Sequence, residues 1–428
     1  MTPLSRALQF AILNPYSDFY RRKYGSEYKT YIEKDLADIP LLTREEIDVT
    51  PFFDRIFIPK EMIHFVRATS GSSGRGVIAF PLAEEPELMR YRKSLGFSGE
   101  EALAGRFFGP YFKKEDTYSI LIYSPSNAVH ETYVVEEGGH VAVSGDYRDQ
   151  EKTFALAEAA GVDSMYSFPS PLAGVGHYVA GGPLAARMRL IVLMGERVTE
   201  PLRRELVETF PHATIAAVYA TVDAHGTVAY TCPSHLTTAP NYMHVFPTYQ
   251  LELVDPETGH VVPQVEGAEG EVVITALTPM AFSLVRYRTG DYAVVRQHGI
   301  CSCGSTDPVF EILGRVGLDR IKLLPYGGIS SAALEEAVLR LSYKVTDFTA
   351  AWDERIKPPS LSVVLYTDTA PADTTTELLG PAIQVSSTRT YADLVELGVV
   401  APLVCTVEPV EVLRTLPTDK RKRLQVSR

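Results

Sequence analysis

Residues 69–76 read TSGSSGRG, a short stretch dense in hydroxyls and glycines with one cation. Thr69, Ser70, Ser72 and Ser73 offer hydroxyl donors. Gly71, Gly74 and Gly76 let the backbone turn tightly enough for its N–H groups to converge on an anion. Arg75 adds a charge-assisted donor, so the chemistry on offer is phosphate binding. The loop is not a Gly-Lys-Ser/Thr phosphate loop, because no lysine stands at that spacing. At the far end, LPTDKRKRL (416–424) gathers Lys420, Arg421 and Lys422 into a short basic run. A third group is sulfur-rich: Cys232 in YTCPSH, and Cys301 and Cys303 in CSCG. A C-x-C-G turn with a distant Cys and a His makes a Cys₃His zinc site, and by local spacing His235, in C-x-x-H, is a candidate fourth ligand.

These residues need elements to hold them. YSILIYS (118–124) and RLIVLMGE (189–196) read as buried strands, and EPLRRELVETF (200–210) as an amphipathic helix following the second. This alternation implies an α/β layer architecture. In the polar, helical first 50 residues, Thr43 followed by Glu46 forms a capping box. From 242 to 298 the pattern turns all-β; beyond 328, SAALEEAVLRL is a helix and SLSVVLYT and PLVCTVEPVEV read as strands. Cys405 falls in the last of these as plain core. The final block is expected to be a separate small domain hinged near 315–322.

The chain has 428 residues, so two or more domains are expected. Its formal net charge of −12 argues against a nucleic-acid partner or an anionic membrane, which need a basic surface. No signal segment and no stretch long enough to span a bilayer stands out, and four cysteines in so long a chain make no disulfide framework. A cytoplasmic protein is the expectation.

Five segments occur in a telling order: TSGSSGRG, MGERVTEPLRREL (194–206), VYATVDAHG (218–226), LVRYRTGDYAVV (284–295) and LPTDKRKRL. Together they resemble the signature set of the adenylate-forming superfamily. NPYSDFYRRKYG (14–25), DIPLLTREEI (38–47) and LVDPETG (253–259) are similar to the phenylacetate–CoA ligase type. The resemblance implies an α/β adenylate-forming fold, with a large N-terminal domain (1–315) that includes a β-barrel-like region. A small mobile α+β lid (316–428) would follow. The implied activity joins an organic, aromatic carboxylic acid to AMP using ATP and Mg²⁺, then passes the acyl group to CoA. An amine or a carrier-protein thiol is the alternative acceptor, and a nucleotide binder without turnover the alternative class. A homodimer is compatible with the type.

By the same resemblance, Thr69, Ser70, Gly71, Ser72, Ser73 and Gly74 with Arg75 would hold phosphates, and Asp291 the ribose hydroxyls. Gly195, Glu196, Tyr219, Ala220 and Thr221 would surround the adenine and α-phosphate, and Arg315 would reach the nucleotide. Lys420 would be the mobile catalytic lysine, and Asp223 the Mg²⁺ ligand. VYATVDAHG departs from the family's Tyr-Gly-x-Ser/Thr-Glu: Ala220 replaces Gly, Val222 the hydroxyl and Asp223 the longer Glu. Thr221 is the available substitute hydroxyl. For zinc, the likeness points to His244 with Cys232, Cys301 and Cys303, leaving His235 as the rival. Tyr123, His130, Tyr166, Phe168 and His225 flank the expected acyl pocket.

Overall fold

The computed structural model describes residues 2–68, 79–82, 85–97, 118–123, 141–224, 226–316, 320–323, 325–369, 375–386, 388–415 and 424–427. The TSGSSGRG loop, His130, His225, Gly317 to Asp319 and Lys420 lie outside the described residues, as does the side chain of Tyr123. The chain packs as two compact units: 1–110 with 218–234 and 242–312, and 111–217 with 235–241 and 313–428.

The first unit is built on antiparallel pairing. Tyr249–Val254 lies between Val261–Val262 and Glu269–Ala276, and Glu269–Ala276 pairs onward with Tyr287–Gln297. Gly226–Thr231 pairs with Met243–Val245 on one side and with residues 218–221 on the other. Alternating burial along Tyr287–Gln297 puts Tyr287, Thr289 and Asp291 on one face, as the two-residue period of a strand requires. The N-terminal segment docks on the start of that strand. Leu42 N–H donates to the Arg286 carbonyl (2.8 Å), and Arg288 N–H donates to the Leu42 carbonyl (2.9 Å). The expected capping box is present: Thr43 and Glu46 exchange hydrogen bonds and start the Arg44–Asp48 helix.

The second unit carries a parallel sheet in the order Leu190–Met194, Ser164–Ser167, Tyr118–Tyr123, Val141–Asp146. The first two strands are nearly continuous apolar or buried runs, the mark of a sheet covered on both faces. The helix Glu200–Thr209 is capped by the Thr199 hydroxyl and buries Pro201, Leu202, Glu205, Leu206 and Thr209 along one face. Also in this unit, the block from 320 onward has its own core around Trp352, Phe348, Tyr391 and Ile329. Its four-stranded sheet runs Val404–Glu408, Ser360–Tyr366, Asp347–Asp353, Leu424–Ser427. One reading needs correction: the stretch 402–412 is not all strand. The strand ends at Glu408 and a short helix, Glu411–Thr415, follows Pro409, which supplies no N–H for further pairing. Cys405 is half-buried at the edge of this core. Among the described residues no helix is long and apolar enough to cross a membrane.

Candidate active site and thiol cluster

Two acids in the first unit face two tyrosines in a reciprocal arrangement. Tyr219, near the end of the Thr214–Thr221 strand, donates its hydroxyl to Asp291 Oδ2 at 2.6 Å. Tyr287, four residues before Asp291 on the same strand face, donates to Asp223 Oδ2 at 2.5 Å. Both acids are buried. Burial and the Asp223 charge push the Tyr287 phenol well above its usual range, so it stays a donor, while the Arg44 guanidinium pulls the other way. Arg44 Nη1 stands 3.8 Å from Asp223 Oδ2. The turn that presents Asp223 is fixed locally: its N–H donates to the Thr221 hydroxyl (3.3 Å), and the Tyr249 hydroxyl donates to the Ala224 carbonyl.

The YRTGD segment holds Asp291 by its own backbone and neighbours. Thr289 donates its hydroxyl to the Val272 carbonyl and accepts from Asp291 N–H. Gly290, at φ 75°, takes a left-handed conformation that a side chain would strain, and its N–H donates to Glu271. Before it, Arg286 sits at φ 48°, a conformation that costs a non-glycine residue about 1 kcal/mol or more. Its guanidinium offsets that by gripping Glu252 through two bonds of 3.1 Å and the Ala37 and Ile39 carbonyls at 2.8 and 2.6 Å.

In the second unit, Gly195 (φ 78°) turns the chain out of the Leu190–Met194 strand. Glu196 then accepts from the Ser170 N–H (3.2 Å) and the Ser170 hydroxyl (2.5 Å). Arg197 ion-pairs with the buried Glu335, which also accepts from Glu200 N–H. Arg315 ends the Val309–Arg315 strand and is exposed. Tyr166 and Phe168 are both buried.

The sulfur residues meet. One ligand atom from each of Cys232, His244, Cys301 and Cys303 lies within 4.8 Å of all the others. Cys232 Sγ is 3.4 Å from Cys301 Sγ, and Cys303 Sγ is 3.3 Å from His244 Nε2. Gly304 (φ 90°) closes the C-x-C-G turn, with Gly304 N–H on the Cys301 carbonyl. Three soft sulfurs and one imidazole, three of the four residues buried, fit a closed tetrahedral zinc site. His235 is not one of the four. Burial pushes the Cys232 thiol up to about 12; at Cys301 burial is outweighed by hydrogen bonds from Cys303 and Cys232, which lower it.

The structure thus brings together Tyr219 with Asp291, and the three cysteines with His244. It adds two residues that motif reading left out. Tyr287 was within reach of strand periodicity, since i and i+4 share a face. Arg44 was not, because nothing in local spacing links it to Asp223.

Comparison with known proteins follows the same lines. The AMP-binding enzyme family matches residues 111–281. A phenylacetate-coenzyme A ligase of Thermus thermophilus is 25% identical over 309 residues, covering 69% of this chain and 65% of the relative. One from Escherichia coli is 24% identical over 302 residues, covering 67% and 65%. The match therefore spans just under two-thirds of those relatives' length. Among solved structures, a 2-hydroxyisobutyryl-CoA ligase in complex with R3-HIB-AMP superposes with a TM-score of 0.75 at 14% identity, over 100% of this chain and 88% of that one. The chain has the α/β fold of the adenylate-forming enzymes. In sequence it is similar to the AMP-binding enzyme family over residues 111–281 and to phenylacetate–coenzyme A ligases.

Proposed function

We propose that this protein activates a carboxylic acid with ATP and transfers the acyl group to CoA. In the first step a carboxylate oxygen attacks the α-phosphorus, the bond to the β-phosphate oxygen breaks, and pyrophosphate leaves. In the second, the CoA thiol attacks the acyl carbonyl and AMP leaves. The observation that carries the reading is the Tyr219–Asp291 hydrogen bond, because it joins the adenine-type and ribose-type motifs at one buried point.

In this reading Asp291 exchanges the Tyr219 phenol for ribose hydroxyls, a bond type it is already placed to accept. Glu196 and Gly195 border the base, and Arg315 reaches the nucleotide. The loop at 69–74 with Arg75 holds phosphates. Lys420 neutralises charge between carboxylate and α-phosphate, carried by a lid formed of 316–428. Asp223, a hard buried carboxylate, fits Mg²⁺, which would draw its other ligands from phosphates and water and offset phosphate charge. The thiol cluster holds a structural zinc. An aromatic acid is the proposed substrate class, on the likeness to phenylacetate ligases.

A pyrophosphate-release assay across aliphatic and aromatic acids, with CoA, an amine or a carrier thiol as acceptor, tests the reading. Release with one acid class and CoA supports it. ATP binding without release for any acid would make the chain a nucleotide binder without turnover.

A further inference from the structure

Arg44 lies in the DIPLLTREEI segment, about 180 residues before Asp223 in sequence, yet it reaches that carboxylate. Its delivery is specified step by step. Arg286 holds the Ala37 and Ile39 carbonyls, and the backbone bridge at Leu42 lays the segment along the start of the Tyr287–Gln297 strand. The Thr43–Glu46 capping box then starts the helix, so that Arg44 is its first residue. Lys23 braces the same turn by donating to the Leu41 carbonyl (2.9 Å) and pairing with Glu46. Arg44 ends between two carboxylates, 3.8 Å from Asp223 Oδ2 and 3.9 Å from Asp48 Oδ2, with its side chain 20% exposed.

We propose that Arg44 is a positioning residue of the nucleotide site: with Tyr287 it aims the Asp223 carboxylate, and its charge limits how tightly that carboxylate holds a divalent cation. This rests on the adenylation reading. Two groups converge on the same oxygen of Asp223, the Tyr287 hydroxyl and the Arg44 guanidinium. A guanidinium never gives up its proton near neutral pH, so its field acts on any ion that Asp223 binds. Like charges a few ångströms apart in a partly buried site repel measurably. A carboxylate pinned from one side also loses fewer orientations when the metal-nucleotide arrives. The arginine therefore trades cation affinity for alignment.

The test is Mn²⁺ binding, read by the electron paramagnetic resonance of the free ion, in the presence of a non-hydrolysable ATP analogue. Arg44→Gln should bind Mn²⁺ at least threefold more tightly than wild type, and Arg44→Lys should stay within twofold. Asp223→Asn should lose most of the affinity, which establishes that the ion is read through Asp223. In pyrophosphate release, Arg44→Gln should lower kcat at least tenfold while KM for ATP stays within threefold. Asp48→Asn, at a more exposed position, frees Arg44 for Asp223 and should weaken Mn²⁺ binding, so the sign can be read even where Arg44→Gln folds poorly. Unchanged or weaker Mn²⁺ binding in folded Arg44→Gln overturns the proposal. A lowered Tm with unaltered Mn²⁺ binding also overturns it, since that marks a merely structural arginine. Wild-type protein that binds the Mn²⁺-nucleotide but releases no pyrophosphate with any acid defeats the adenylation reading, while the Mn²⁺ comparison still decides the role of Arg44.

Discussion

The thiol cluster and the paired-acid site lie in the same antiparallel unit, but they solve opposite problems. In the cluster, three sulfurs and an imidazole crowd together, and each would be better satisfied by a shared cation than by its neighbours. Burial, with the Cys301 and Cys303 sulfurs beside it, pushes the Cys232 thiol up to about 12. In the acid site each carboxylate has its own phenol, Tyr219 for Asp291 and Tyr287 for Asp223. Each of those acids already accepts a phenol hydrogen bond on one oxygen. A closed donor set of this kind suits a structural role, whereas a carboxylate held by a single phenol bond can exchange that partner for a ligand.

The comparison is tested first where its two halves differ most. Purified protein should carry about one zinc per chain, and stripping it with a strong chelator should lower Tm more than any substitution below, because metal-binding free energy is folding free energy in such a site. Metal competes with protons for the thiols, so acidification should promote release. Metal analysis with calorimetry checks both points, and a metal-free protein of unaltered Tm would erase the contrast.

The next largest effect belongs to the frame of the acid site. Arg286→Ala should destabilise the protein by about 3–5 kcal/mol, because it strands Glu252 as a buried charge. Burial already raises the Glu252 carboxyl, the Arg286 charge opposing it, and removing the arginine raises it further. A group with a raised folded-state pKa gives stability at low pH that is lost as pH climbs through that value. The deficit of Arg286→Ala should therefore shrink toward acid, and restore in part with Glu252→Gln; denaturant titrations at several pH values read this. The smallest effects fall on the acids themselves. Asp291→Ala should weaken ATP by about 2–3 kcal/mol in calorimetry, with Tyr219→Phe costing about 1 kcal/mol or less. Equal losses for the two would mean that the phenol, not the ribose, is the partner Asp291 is kept for.

Much of the local structure was legible from the chain alone. The strands at 118–123 and 190–194, the helix Glu200–Thr209 and the Thr43–Glu46 box follow from apolar runs, periodicity and capping chemistry, all of which act within a few residues. The C-x-C-G turn is local in the same sense, closed by Gly304. What local pattern left open was partnership across long separations. His235 is three residues from Cys232 and His244 is twelve away, yet His244 joins the sulfurs because the Gly226–Thr231 and Met243–Val245 strands pair antiparallel and bring their ends together. Arg44 meets Asp223 only because a strained, heavily bonded Arg286 and a single backbone bridge lay an N-terminal segment along a strand begun some 240 residues later. Sequence determined the motifs, caps and turns, whose physics is short-ranged. The tertiary structure decided which histidine, which tyrosine and which arginine those motifs would meet, because strand register and docking are settled by packing over the whole unit.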